Sequence, residues 1–358
     1  MSRPESGALA LITGGAGFVA TNVADRLLRD GWRVRLLDNL SRPGVEGNVA
    51  WLKAEHGEAV ELVVADVRDA EAVRAAVAGT SRVFHFAAQV AVTTSLADPV
   101  LDFEVNARGT LNLLEAVRKM PDRPSLLFTS TNKVYGHFED LRLRVRDRRY
   151  EPENPEVASC GISERRPLDF HSPYGCSKGA AEQYVLDYAR TFGLPATVFR
   201  MSCIYGPHQF GTEDQGWVAH FVIQALRGRP LTLYGDGRQV RDVLFVEDLV
   251  DAMLRAHDAI AETSGHAYNI GGGPSSTISL LELIDVIGEL LGRRPSFHLE
   301  SWRPADQRYY VSDTARFMAA TGWSPQVPVA EGIERLAAWL TESGTAASAE
   351  LVGSGVAL

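Results

Sequence analysis

Cysteine is scarce: Cys160, Cys176 and Cys203 are the three in 358 residues, and they form neither a Cys-x-x-Cys pair nor a cluster with histidine. That excludes a disulfide framework and gives no zinc site, so no metal is expected. Long apolar runs are missing as well. No stretch approaches the ~18 residues of a membrane span, and the opening MSRPESGALA lacks the apolar core of a secretory signal. These absences predict a protein of the reducing cytoplasm with no membrane partner. Positive charge is in deficit, since 45 Asp and Glu outnumber 36 Lys and Arg for a net charge of −9. A broad grip on nucleic acid is therefore excluded, and any anion has to be held by a local basic pocket.

What remains is an ordinary globular mixture, 45% hydrophobic and 23% charged, long enough for more than one lobe. Short apolar runs at Ala8 to Thr13, Val34 to Asp38, Val60 to Asp66, Val83 to Ala87 and Leu126 to Ser130 read as strands, with helical periodicity between them. Near-continuous apolar strands separated by helices predict an α/β fold with a parallel sheet, doubly wound by the right-handed crossover rule. A sixth strand, Ala196 to Phe199, follows a long helix from about Pro173 to Phe192. Past Arg200 the rhythm changes, and Ser279-Leu-Leu-Glu282 has capping-box spacing ahead of an apolar helix. This predicts a dinucleotide-binding domain from 1–200 and about 243–272, a smaller substrate lobe from about 201–242 and 273–342, and a flexible tail at 343–358.

Thr13-Gly14-Gly15-Ala16-Gly17-Phe18-Val19-Ala20 joins the first strand to the first helix, where a phosphate-binding turn aims helix N–H groups at a diphosphate. Gly14 and Gly17 permit the tight turn and close backbone approach. Asp38 ends the second strand at the spacing of an acid that holds the adenosine ribose hydroxyls, which favours NAD over NADP; a strand-end cap is its alternative role. Asp66-Val67 has the position of an adenine contact, or of a turn.

Tyr174 and Lys178 stand one helical turn apart on the same face of the long helix. An ammonium beside a phenol lowers its pKa, so this pair predicts proton transfer near neutral pH, with the Thr131 hydroxyl at the end of the fifth strand in the same network. Thr93, Thr94 and Ser95 follow the fourth strand, where hydroxyls can reach a sugar or cap a helix. His85 lies inside an apolar strand and reads as structural. The run Leu141 to Tyr150 holds Arg142, Arg144, Arg146, Arg148 and Arg149 and reads first as a solvated loop or strand edge.

Taken together, TGGAGFVA, Asp38-Asn39-Leu40, the run from Asn106 to Glu115 and Tyr174-Gly-Cys-Ser-Lys178, with QVAVTTS (89–95), STNKVYG (130–136), FGTEDQGW (210–217) and QVRDVLFVEDL (239–249), resemble the extended short-chain dehydrogenase/reductases that act on nucleotide sugars. The resemblance covers about residues 8–341 and implies a Rossmann-type fold. It implies NAD as cofactor, contacted by Gly14, Gly17, Phe18, Val19, Asp38, Asn39, Arg42, Asp66, Val67, Ala87, Ala88, Gln89, Tyr174 and Lys178. Thr131, Tyr174 and Lys178 take the catalytic roles. Thr93, Thr94, Ser95, Asn132, Gln209, Arg241 and Arg308 become substrate contacts, the two arginines binding the diphosphate of a nucleotide sugar; Asp242 and Asp306 are their alternative salt-bridge partners. A homodimer or homotetramer is implied too. The more specific segments imply inversion at C2 of a CDP-3,6-dideoxyhexose or related sugar through a transient 2-ketone. A C4 epimerase, a sugar-nucleotide dehydrogenase and a non-catalytic nucleotide sensor remain alternatives.

Two departures matter. In the 4,6-dehydratases of this family acids follow the catalytic threonine, whereas Asn132 and Lys133 follow Thr131 here, which disfavours loss of water. Cys203 stands where many relatives have the asparagine of a phosphate contact.

Overall fold

The computed structural model describes residues 7–303 and 306–344. Most of the expected tail, 345–358, lies outside the described residues.

The main sheet has seven strands: β1 (Leu9–Thr13), β2 (Arg33–Asp38), β3 (Val60–Val64), β4 (Arg82–His85), β5 (Ser125–Thr131), β6 (Ala196–Met201) and β7 (Ala267–Ile270). All pair in parallel, in the order β7-β6-β5-β4-β1-β2-β3. This is the doubly wound arrangement in which the order reverses beside β1, and ligands collect at the carboxyl ends of the strands there. Both faces are covered. Val23, Ala24 and Leu27 of the helix Phe18–Arg29 pack on one face with Leu249 and Met253 of the helix Val246–Asp258. Leu113, Leu114 and Val117 pack on the other with Ala181 and Val185 of the long helix.

Six of these strands coincide with the apolar runs expected from the sequence. β7 escaped that expectation because a four-residue run with a polar residue carries no periodicity, and Asn269 is buried there with its Oδ1 accepting from the Tyr135 hydroxyl at 2.8 Å.

A second sheet lies over the carboxyl ends. Val240–Phe245 pairs with Cys203–Tyr205 and Tyr309–Tyr310 in parallel and with Thr277–Ser279 antiparallel. Its core includes Phe221, Val222, Leu283, Ile287 and Leu336 from three flanking helices. The capping box forms as expected, with Ser279 and Glu282 bonding each other's backbone N–H. The arginine-rich run is more ordered than a solvated loop. It folds as a hairpin, Leu143–Val145 with Tyr150–Pro152, and docks on this lobe through Arg148 to Asp285 and Arg149 to Glu282.

Candidate active site

The glycine turn is built by close approach. A Cβ on Gly14, whose φ is +67°, would lie 2.7 Å from the Ala87 nitrogen, and one on Gly15 would lie 2.6 Å from the Leu36 Cβ. Gly15 is thus as constrained as Gly14, yet it falls outside the spacing pattern, while a Cβ on Gly17 would meet only the Gly14 carbonyl at 3.2 Å. Gly17 caps the helix Phe18–Arg29 without any side-chain hydrogen bond, so the first-turn N–H groups at Phe18 and Val19 face the strand ends with their dipole.

Asp38 uses one carboxylate oxygen to accept from the Ala16 N–H at 3.0 Å and the other to accept from Leu40 at 2.8 Å. It locks the turn to the end of β2, and each oxygen keeps a second lone pair. Asn39 donates to Asp66 at 2.9 Å; Arg68 bonds the same Asp66 and, through that hydrogen bond first, holds its carboxyl down at about 2. Val67 packs under the sheet against Gly109. Ala87 donates to the Thr13 hydroxyl at 3.3 Å, and Gln89 to Asn106 at 2.9 Å; Ala88 lies between them. Arg42 reaches across to Gln215 of the second lobe. A preformed cradle, unblocked helix donors and an acid at the next strand end fit a dinucleotide without rearrangement.

Next to this cradle lies a cavity of about 420 Å³ whose walls include Phe18, Val19, Thr93, Thr131, Asn132, Tyr174, Gln209 and Arg241. Thr131 ends β5. Tyr174 sits in the first turn of the helix Ser172–Phe192, which carries Pro173 in that turn and is capped at its end by the left-handed Gly193. The two are hydrogen-bonded through their side chains. Lys178, one turn on, is buried with its ammonium 4.2 Å from the centre of the Phe128 ring.

The protonation picture differs from the one the spacing predicts. Burial pushes the Tyr174 phenol up to about 12, with the Thr131 hydrogen bond working the other way. Burial also brings Lys178 down to about 7, against the pull of Glu182 and Asp102. Sequence spacing places phenol and amine on one helix face but does not show how far packing takes each out of water, and desolvation is the first cause of both shifts. Glu182 is itself enclosed, bonded by Arg200 and by the Ser130 hydroxyl.

Several substrate candidates move. Ser95 is fully buried; its hydroxyl donates to the Val92 carbonyl at 2.7 Å and accepts from the Tyr174 N–H at 3.2 Å, so it holds the catalytic helix and does not face the cavity. Thr94 is exposed and absent from the lining, while Thr93 is part of it. Arg308 is exposed, lies over the rings of Tyr150 and Trp302, and does not line the cavity either. Arg241 does line it, but its ion-pair partner is Asp306 at 2.7 Å, not the adjacent Asp242, which is buried beneath Ser202 and the Gly273 N–H. The cavity also takes in Cys203, at the position of the relatives' phosphate-contact asparagine, and Lys133, Gln215, Trp217, Gln239 and Arg303, which are not among the substrate contacts expected from the sequence. The 210–217 and 239–249 segments were the signal for three of them, Gln215, Trp217 and Gln239, and STNKVYG (130–136) for Lys133. His85 is structural, as read, between Thr13 and Thr110.

A Rossmann-type sheet with a glycine cradle, a strand-end acid and a Thr–Tyr–Lys set opening on one cavity defines a dinucleotide-dependent enzyme acting on an alcohol carbon. The chain belongs to the NAD dependent epimerase/dehydratase family, whose model matches residues 10–271, and NAD is its cofactor. Among curated proteins it is 42% identical over 337 residues to CDP-paratose 2-epimerase of Salmonella typhi, covering 92% of this chain and 98% of the relative. It is 35% identical over 328 residues to UDP-glucose 4-epimerase of Mycolicibacterium smegmatis, covering 91% and 96%. Among solved structures, the Thermus thermophilus UDP-glucose 4-epimerase in complex with NAD superimposes with a TM-score of 0.78 at 33% identity, over 93% of this chain and 99% of that one.

Proposed function

We propose that this NAD-dependent epimerase inverts C2 of a nucleotide-linked hexose, a CDP-3,6-dideoxyhexose or a near relative. The carrying observation is Tyr174, half-buried at the cavity wall and hydrogen-bonded to Thr131, with the buried Lys178 one turn behind it. The 42% identity to a CDP-paratose 2-epimerase supports the choice of carbon and base. Asn132 and Lys133 in place of acids support epimerisation over loss of water.

NAD, when bound, supplies the acceptor and later the donor of the carbon-bound hydrogen, and a positive charge beside the phenol. Tyr174, as phenolate, takes the proton of the C2 hydroxyl, and the Thr131 hydroxyl steadies the charge by hydrogen bonding. Lys178, buried behind the phenol, adds positive charge on the same side. After the 2-ketone turns its other face, Tyr174 returns the proton to the oxygen, so the cycle consumes no reductant. Diphosphate contacts have to hold while the sugar turns, a role for Arg241 in the cavity wall. Thr93, Asn132 and Gln209 bind the sugar.

Residues 1–200 with about 243–272 serve as the NAD-binding part and about 201–242 with 273–342 as the substrate part. Three free cysteines support a cytoplasmic setting. Exposed Val100 and Phe103, on a helix packed beside the long helix with its exposed Tyr184, support a homo-oligomer. No helix of the described residues is long and apolar enough to cross a membrane. The test is product NMR on a panel of CDP-, UDP-, GDP- and dTDP-hexoses. Inversion at C2 of a CDP-sugar is expected; inversion at C4, or stoichiometric NADH release, favours a C4 epimerase or a dehydrogenase instead.

A further inference from the structure

Inversion at C2 makes a demand that chemistry at C4 does not. C2 is bonded to the anomeric carbon that carries the diphosphate, whereas C4 lies across the ring. Bringing C2 to Tyr174 therefore draws the β-phosphate close to the catalytic set, where its charge opposes formation of the phenolate unless a cation stands beside it.

The cavity wall offers Lys133, Arg241 and Arg303. Arg303 is paired with Asp214 at 3.3 Å and lies 3.9 Å over the Tyr234 ring. Arg241 is held by Asp306 and by the carbonyls of Val240 and Gln307. Lys133 is the one of the three that adjoins the catalytic strand end. Its N–H donates to the Thr131 hydroxyl at 3.2 Å, and its carbonyl packs so near Gly175 that a Cβ there would approach to 3.4 Å. Its backbone is thus wedged between Thr131 and the helix that carries Tyr174, while its side chain has Arg241, Asp306 and Cys203 as charged or titratable neighbours.

We propose that Lys133 is a specificity-determining residue whose ammonium binds the β-phosphate of the substrate next to the reacting carbon, fitting this site to chemistry at C2. The inference rests on the C2 reading above. Burial, and then repulsion from Arg241, lower Lys133 to about 8. Asp306 pairs with Arg241 and draws on Lys133 as well, and a phosphate on the cavity side adds a second anion to these two cations. Cys203 does not fill this role: burial pushes its thiol up, and its sulfur accepts from the Trp217 indole at 3.3 Å.

The experiment is calorimetric titration of NAD-loaded wild type, Lys133→Met, Lys133→Gln and Lys133→Arg with CDP, CMP, UDP and UMP, with NAD content and thermal melting checked for each variant. Wild type should bind the diphosphate of its preferred base more tightly than the monophosphate. Lys133→Met and Lys133→Gln should each lose roughly ten- to a hundred-fold in diphosphate affinity, the range of one charge-assisted hydrogen bond, with monophosphate affinity nearly unchanged. Lys133→Arg should keep most of the difference. An unchanged diphosphate affinity in the neutral variants, an equal loss for both nucleotides, or a wild type that does not distinguish them overturns the proposal. Product NMR on wild type separates the two readings: inversion at another carbon with the phosphate increment intact overturns the link to C2 and leaves the phosphate contact standing.

Discussion

The main-chain N–H of Tyr174 donates to the Oγ of Ser95 at 3.2 Å, and Ser95 is completely enclosed. A serine that looks like a sugar ligand in the sequence is thus a tether between the short helix Val92–Ala97 after β4 and the first turn of the helix Ser172–Phe192. Ser95→Ala is expected to lower stability by about 1–2 kcal/mol through the unsatisfied helix N–H. It should reduce kcat more than it raises KM. Urea unfolding with steady-state kinetics checks both; a change in KM alone would return Ser95 to the substrate.

Tyr174→Phe removes the hydroxyl proposed as proton acceptor and keeps the ring. Turnover should fall by roughly 10² to 10⁴ while NAD content and melting temperature stay near wild type. Retained activity would move the proton chemistry to another group.

The Thr131 hydrogen bond lowers the Tyr174 pKa against the upward push of burial. Removing it in Thr131→Val raises that pKa further. Because the phenolate is the working form, the rise of kcat/KM with pH should shift to higher pH in the variant. A profile that falls without shifting would confine Thr131 to a structural role.

Gly15→Ala places a Cβ 2.6 Å from the Leu36 side chain and 2.9 Å from the Ile12 carbonyl. The glycine turn has to open to admit it, so NAD affinity should drop at least ten-fold, measured by the NAD retained through gel filtration.

Buried His85 is brought down to about 3 from its ordinary 6.5 by desolvation first and the Lys178 charge second. Between these values the unfolded chain takes up a proton that the native state refuses, so stability rises with pH across this window and is lost as pH falls through it. Urea midpoints from pH 7 to 4 should decline accordingly. His85→Asn should flatten part of that slope, since His208, lowered to about 4, contributes in the same sense.

Six of the seven strands of the main sheet were legible because a strand buried on both faces carries a near-continuous apolar run, as Leu9–Ile12 and Leu126–Phe128 do. The glycine turn, Asp38 and the Thr131, Tyr174 and Lys178 set were legible because their spacing maps onto strand ends and one helix turn. What escaped depends on distant chain segments. Gly15 is constrained by Leu36 of β2, Ser95 is used up by Tyr174, and Arg308 lies over the Tyr150 and Trp302 rings and is not part of the cavity wall. Arg241 found Asp306, far along the chain, in preference to the neighbouring Asp242. Desolvation of Tyr174 and Lys178 is likewise a property of packing, which residue spacing does not carry.

The central claim is inversion at C2 by removal and return of the same carbon-bound hydrogen, with Tyr174 handling only the oxygen-bound proton. Turnover of the accepted CDP-sugar in deuterated water, followed by NMR at C2, tests it most directly. The account predicts the C2 epimer with protium retained at the inverted carbon; substantial deuterium there, or inversion at C4, would contradict it.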